Sequence, residues 1–336
     1  AIPFAALDAA FAVELLGANN SLAGLLVNNL ADLYEVAGCE ADALQKTKVA
    51  LQILSNSGEL DDQGFLVKLR ALDRLARLCE RSGDFNTAES IICVSLGFRL
   101  DRYGRNHLEF ARGLRNLGTF YRAIGKWDKA RDQYGAAYRI IKHAPSKDQL
   151  EIAITLSSLG NLLFRQGKTR LARLYLERSL KILRSSSGHG ESWVTYHRAL
   201  GVAERSLASI YIGMGKTEQA QVLLKHSLSV LKKAVGPFHG DVATTLSKLA
   251  ECLATAGKLT PAKRSYNSAI DMLMCTLGVD HISVGAELTK LARLFSSTSQ
   301  FAKALRASER ALEIHYSHSQ HMLKIAPTEQ EKITSL

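Results

Sequence analysis

The chain has 336 residues, 46% of them apolar, and carries 43 Lys and Arg against 32 Asp and Glu, for a net charge of +11. It contains no uncharged apolar run of the roughly 18 residues that a spanning helix needs, so no membrane span is expected. Its five cysteines, Cys39, Cys79, Cys93, Cys252 and Cys275, lack C-x-x-C spacing. That is the pattern of reduced thiols in a cytoplasmic or organellar compartment, the mitochondrial matrix among them, and not of a secreted protein.

The opening segment AIPFAALDAAFAVELLGA is apolar but holds Asp8 and Glu14 and has no basic leader. It reads as an amphipathic end helix that caps the first repeat, over residues 1–23, and not as a signal peptide. From residue 24 to 318 one pattern recurs seven times: Leu and a small residue, then Ala twelve positions on. The Leu positions are Leu30, Leu75, Leu117, Leu159, Leu207, Leu249 and Leu291, offset by 45, 42, 42, 48, 42 and 42 residues. A fixed period of this size is the mark of stacked helix pairs. A Gly lies between the two signals at Gly38, Gly83, Gly125, Gly167, Gly215 and Gly257, with Ser299 in the last copy. A left-handed helix end favours a residue without Cβ, so each Gly predicts the same turn.

The third copy shows the unit. Leu114, Leu117, Phe120, Tyr121 and Ile124 give a first helix, and Trp127, Ala130, Tyr134, Ala137, Tyr138 and Ile141 a second. Small residues such as Gly118 and Ala130 let the backbones approach. In the sixth copy Thr260 and Pro261 predict a cap and a first helical residue. The expected fold is all-α: a right-handed superhelical solenoid of about seven antiparallel helix pairs with short terminal capping helices and a tail over 319–336.

Chemistry-bearing motifs are scarce. Gly167-Lys168-Thr169 and Gly215-Lys216-Thr217 imitate the end of a phosphate loop, but Leu162 and Ile210 stand where its first Gly belongs. Ser192 lacks the second Gly of a nucleophile elbow, Val194 standing there. His107, His239 and His281 are spread along the array and read as helix caps; His315, His318 and His321 lack further ligands for zinc. No catalytic residue, cofactor or metal site is expected. The segment Ser185 to His197, with Trp193, Tyr196 and His197, is six residues longer than its counterparts. It reads as a loop on one face that could contact a partner.

Leu117-Gly118, Tyr121 and Ala130, with Leu207-Ala208, Tyr211 and Ala220, resemble the tetratricopeptide repeats. The 42-residue spacing and the G-x-x-H linkers Gly104–His107, Gly236–His239 and Gly278–His281 look like the kinesin light chain subtype. The resemblance implies that first helices line a groove. Carrying its groove positions over yields twelve basic residues, among them Arg70, Arg74, Arg77, Arg81, Arg112, Arg115, Arg122 and Arg165, against the five acids Asp32, Glu35, Asp73, Glu80 and Glu251. It also implies that Asn116 and Asn161 stand where related domains bind peptide backbone or carboxylate.

The chain then fits three function classes. The first is a non-enzymatic scaffold that binds an acidic or carboxylate-bearing protein segment through these partner-binding residues. The second is a permanent subunit or assembly factor of a large complex, organellar or otherwise. The third is RNA binding, disfavoured because stacking aromatics do not interleave with the arginines.

Overall fold

The structure, a computed structural model, describes residues 2–17, 20–144, 148–185 and 192–333. It consists of fifteen α-helices and, among the described residues, no strand. The chain divides into two compact units, Ala1–Gly167 and Lys168–Leu336.

The first unit holds α1 (Ile2–Leu16), α2 (Ser21–Val36), α3 (Glu40–Asn56), α4 (Asp62–Arg81), α5 (Phe85–Tyr103), α6 (Leu108–Ala123), α7 (Trp127–His143) and α8 (Gln149–Arg165). Each helix packs on the next, and α2 also touches α4, as α6 touches α8. The first helices of successive pairs are thus the ones drawn together along one side of the unit. The second unit holds α9 (Thr169–Ser185), α10 (Ser192–Gly213), α11 (Thr217–Val235), α12 (Gly240–Thr255), α13 (Leu259–Leu277), α14 (Ile282–Ser297) and α15 (Phe301–Ile333). Here α10 touches α12 in the same manner.

The recurring residues do what their spacing requires. Ala43, Ala88, Ala130, Ala172, Ala220 and Ala262 are all fully buried. A Cβ on Gly118 would lie 2.8 Å from the Tyr134 ring, so Gly there is what lets α6 and α7 close on each other. At the turn, Gly125 has φ +76° and the Lys126 N–H donates to the Tyr121 carbonyl at 2.8 Å. The same six-residue bond recurs from Cys39 to Tyr34, Asp84 to Cys79, Lys216 to Tyr211 and Lys258 to Leu253. These are Schellman closures, which satisfy carbonyls that the helix end leaves open. In the last copy Ser299 adopts φ +57° and Gln300 donates to Phe295 at 2.9 Å, so the turn persists without its Gly.

One local expectation is corrected. Helix α13 begins at Leu259, with Lys258 as its N-cap, so Thr260 is not the cap. Pro261 still falls within the first turn, where an N–H has no intrahelical acceptor to lose. The end helix α1 packs on α2 through its small face, Ala9 and Ala12, and leaves Phe4, Leu7, Phe11 and Leu15 exposed. Small side chains allow the closer approach; the large ones stay on the open side. No described helix is long and apolar enough to cross a membrane.

Candidate partner-binding face

The first helices of the first unit carry the basic residues of the expected groove. Their stripe on α4 does not act as a row of equals. Arg74 is only 2% exposed, and its guanidinium reaches back to α2: Nη1 donates to the Asn28 carbonyl at 3.1 Å and to Asn28 Oδ1 at 2.8 Å, Nη2 pairs with Asp32, and Nε meets Glu35 at 3.3 Å. Burial, then repulsion from Arg77, brings Arg74 down to about 10. Arg77 Nη2 reaches the same Glu35 at 3.3 Å, and Arg81 Nη2 reaches it at 2.8 Å while its Nε meets Glu40 at 3.2 Å. Three arginines therefore converge on one carboxylate, which relieves the repulsion their spacing implies.

A second cluster joins α6 to α8. Arg112 pairs with Glu109 on its own helix, with Glu151 at 2.8 Å and with Asp148 at 3.8 Å; Arg115 Nη2 lies 3.3 Å from Glu151. Burial opposes the Arg112 charge, but Glu151 and Glu109 outweigh it and hold the guanidinium above its ordinary range. Asn116 Nδ2 donates to Asp73 at 2.9 Å, and Asp73 also accepts from Arg99 at 2.7 Å. The charge count from sequence omitted Glu40, Glu109, Asp148 and Glu151, which the fold brings to the basic residues from helix starts. Position in the helix hid them: each lies within or just before a first turn, outside the groove positions carried over.

What remains available is a subset. Arg70 and Arg165 are exposed, and neither forms an ion pair among the described residues. Arg122 and Asn161 are half-buried, and Arg122 acts at longer range on Glu80. The Arg77 and Arg81 side chains are 55% and 43% exposed despite their ion pairs. They border a cleft of about 230 Å³ between α4, α5 and α6, lined by Asp73, Glu80, Asn116 and Thr119 and floored by Ala76, Ile92 and Phe120. Burial pushes the Glu80 carboxyl up against the opposing pull of Arg122, Arg81 and Arg77. A guanidinium has five N–H donors, and Arg77 uses one on Glu35.

The linker histidines cap helices. His107, His239 and His281 each accept at Nδ1 from the N–H two residues on, at 3.1, 3.0 and 3.2 Å. Among the described residues no group of His, Cys, Asp or Glu is placed to hold a metal. The His321 and Ser192 side chains lie outside the described residues, as do residues 186–191 of the inserted segment. Its later part forms the start of α10, where Trp193 and His197 stack at 4.2 Å. All five cysteines are thiols and not halves of disulfides.

The tetratricopeptide repeat family model matches residues 109–185 and 199–274. Protein KINESIN LIGHT CHAIN-RELATED 2 of Arabidopsis thaliana is 25% identical over 173 residues, half of this chain and a quarter of that protein's length. Among solved structures, BtubC (BKLC) from P. vanneervenii matches with TM-score 0.53 at 16% identity, over 74% of this chain and 92% of the other. A Rap protein complexed with Competence and Sporulation Factor matches with TM-score 0.58 at 14% identity, over 89% and 78%. At such identities the structural likeness is one of fold.

Proposed function

We propose that the chain, whose residues 109–185 and 199–274 match the tetratricopeptide repeat and which is similar to a kinesin light chain-related protein, is a non-enzymatic interaction scaffold whose first-helix face takes an acidic or carboxylate-bearing protein segment. The single observation that carries the reading is the pair Arg77 and Arg81, half-exposed at a cleft and sharing one internal carboxylate. Arg70, Arg122 and Arg165 extend the positive field along the same helices, with Asn116 and Asn161 as polar contacts. Arg74, Arg112 and Arg115 act mainly within the chain and set the positions of the others.

Each exposed ion pair contributes about 0 to 1 kcal/mol, so useful affinity needs several at once. An extended acidic segment provides them; a small anion does not. The test is fluorescence anisotropy with a labelled oligoglutamate peptide. Wild type binds, and Arg77→Glu with Arg81→Glu weakens binding at least about tenfold; equal binding by both proteins removes this face from the account.

A second reading has its own observation. The apolar row Phe4, Leu7, Phe11 and Leu15 on α1 is larger than isolated surface hydrophobics require, and contiguous apolar surface marks contacts. It supports a subunit held in an assembly by its end helix. Under that reading Phe4→Ser with Phe11→Ser abolishes co-purification of a fixed set of chains, and the groove variant does not.

A further inference from the structure

Charge that the fold leaves without an internal counterion is concentrated elsewhere, on the second helices of the second unit. Helices α9 and α11 together carry eight Lys and Arg against Glu177 and Glu218. Arg173 pairs with Glu177 at 3.4 Å and Arg184 with Glu204 at 2.9 Å. Arg170, Arg178, Lys181, Lys225, Lys232 and Lys233 are exposed and form no ion pair among the described residues. Both helices pack on α10: its fully buried Glu204 takes Arg184 from α9 at one oxygen and His226 from α11 at the other, at 2.9 and 2.7 Å.

Aliphatic side chains lie inside this basic field. At about 100° per residue, Leu171, Leu174, Arg178 and Lys181 fall within one arc of α9, and Val222, Lys225, Lys232 and Lys233 within one arc of α11. Leu174 is 56% and Val222 68% exposed. The neighbouring second helices differ: α13 carries only Lys263 and Arg264 as basic residues, with Asp271, and on α15 Arg310 pairs with Asp280 and Glu313. The patch is therefore local to two helices.

We propose that the outer face of α9 and α11 is a docking surface for an anionic phospholipid bilayer, on which the protein lies peripherally. Lysines and arginines at a membrane surface are drawn to acidic headgroups, and exposed aliphatics among them enter the headgroup boundary. An acidic protein or a nucleic acid would match the charge alone. A nucleic acid would favour aromatic or amide side chains between the basic ones, and this stripe has leucine and valine there.

The test is sedimentation with vesicles of equimolar phosphatidylcholine and phosphatidylserine, set beside vesicles of phosphatidylcholine only. Wild type pellets with the acidic vesicles and stays in the supernatant with the neutral ones. Arg178→Glu with Lys181→Glu lowers partitioning at least about tenfold. Leu171→Ser with Leu174→Ser, at exposed positions where folding is undisturbed, lowers it several-fold with no change of charge, and Arg77→Glu in the first unit leaves it unchanged. The proposal is overturned by failure to pellet with acidic vesicles or by indifference to the charge reversals. It is equally overturned by a leucine pair that does not matter while oligouridylate binds as well as the vesicles do, which would make the face a nucleic-acid site.

Discussion

Ser299 is the one non-glycine residue with positive φ among those described, at a turn that Gly occupies in six other copies. A Cβ in the left-handed region costs about 1 kcal/mol or more. Ser299→Gly is accordingly expected to stabilise the protein by about 1 kcal/mol, read as a higher urea midpoint with unchanged slope. His239 makes the opposite point about a residue that fits its place. Its Nδ1 accepts the Asp241 N–H only when that nitrogen carries no proton. Burial, opposed by Asp241 and aided by Arg198 and Arg205, lowers its pKa from the ordinary 6.5. The unfolded chain therefore binds a proton at higher pH than the folded one, so the His239 contribution is full above about 6.5 and declines as pH falls below it. His239→Ala should cost about 1 kcal/mol at neutral pH and His239→Asn much less; melting temperatures at neutral and mildly acidic pH check both.

Between elements, the prominent feature is the polar contact from one first helix to the next. Arg74 meets Asp32, Asn116 meets Asp73, Arg112 meets Glu151, Arg205 meets Asp241 and Lys290 meets Ser247, at separations of 36 to 43 residues. Removing one partner of a buried pair costs more than the pair is worth, because the other charge is left desolvated. In this pair Arg74 is the buried member and Asp32 is half-exposed, so Asp32→Ala, which strips the buried guanidinium of a counterion, should cost about 3 kcal/mol, and a double-mutant cycle with Arg74→Ala should recover a coupling above the roughly 0.5 kcal/mol of independent sites. Asp241 behaves consistently. Burial raises its pKa, but the Arg198 hydrogen bond and the charges of Arg198 and Arg205 together hold it below the usual carboxylate range. That stabilisation is present above about pH 4 and is lost as the pH falls through the lowered value.

This ladder also marks what could be read in advance. Leu117, Gly118, Gly125 and Ala130 repeat at one phase because each meets the same backbone geometry in every copy, so periodicity alone locates the helix pairs and their turns. The linker histidines were legible as caps for the same reason. The charge partners were not. Whether Arg74 faces solvent or Asp32 depends on the side-chain reach between two helices, and no within-helix period records that. The exposed face of α1 was hidden likewise, since its alanines look less apolar than the phenylalanines that remain outside.

Over the whole molecule, the net charge of +11 is not one field but two populations. On α4 and α6 most guanidinia face carboxylates of their own unit, whereas six of the eight Lys and Arg on α9 and α11 form no ion pair among the described residues. Raising salt should accordingly weaken both proposed contacts while leaving the melting temperature nearly constant, because exposed charges are screened within about 8 Å at physiological ionic strength and the buried pairs far less. A protein whose melting temperature falls as steeply as its binding would contradict that division. The ladder of Arg74 with Asp32 and its counterparts has one more consequence, for how such an array can grow. Within each compact unit a helix pair holds a cation or amide whose match resides in the neighbouring pair, so a duplication or deletion that begins within a pair separates acid from base. Lengthening is tolerated only in whole steps that copy both halves of a contact together, and the order of helix pairs becomes as heritable as their number.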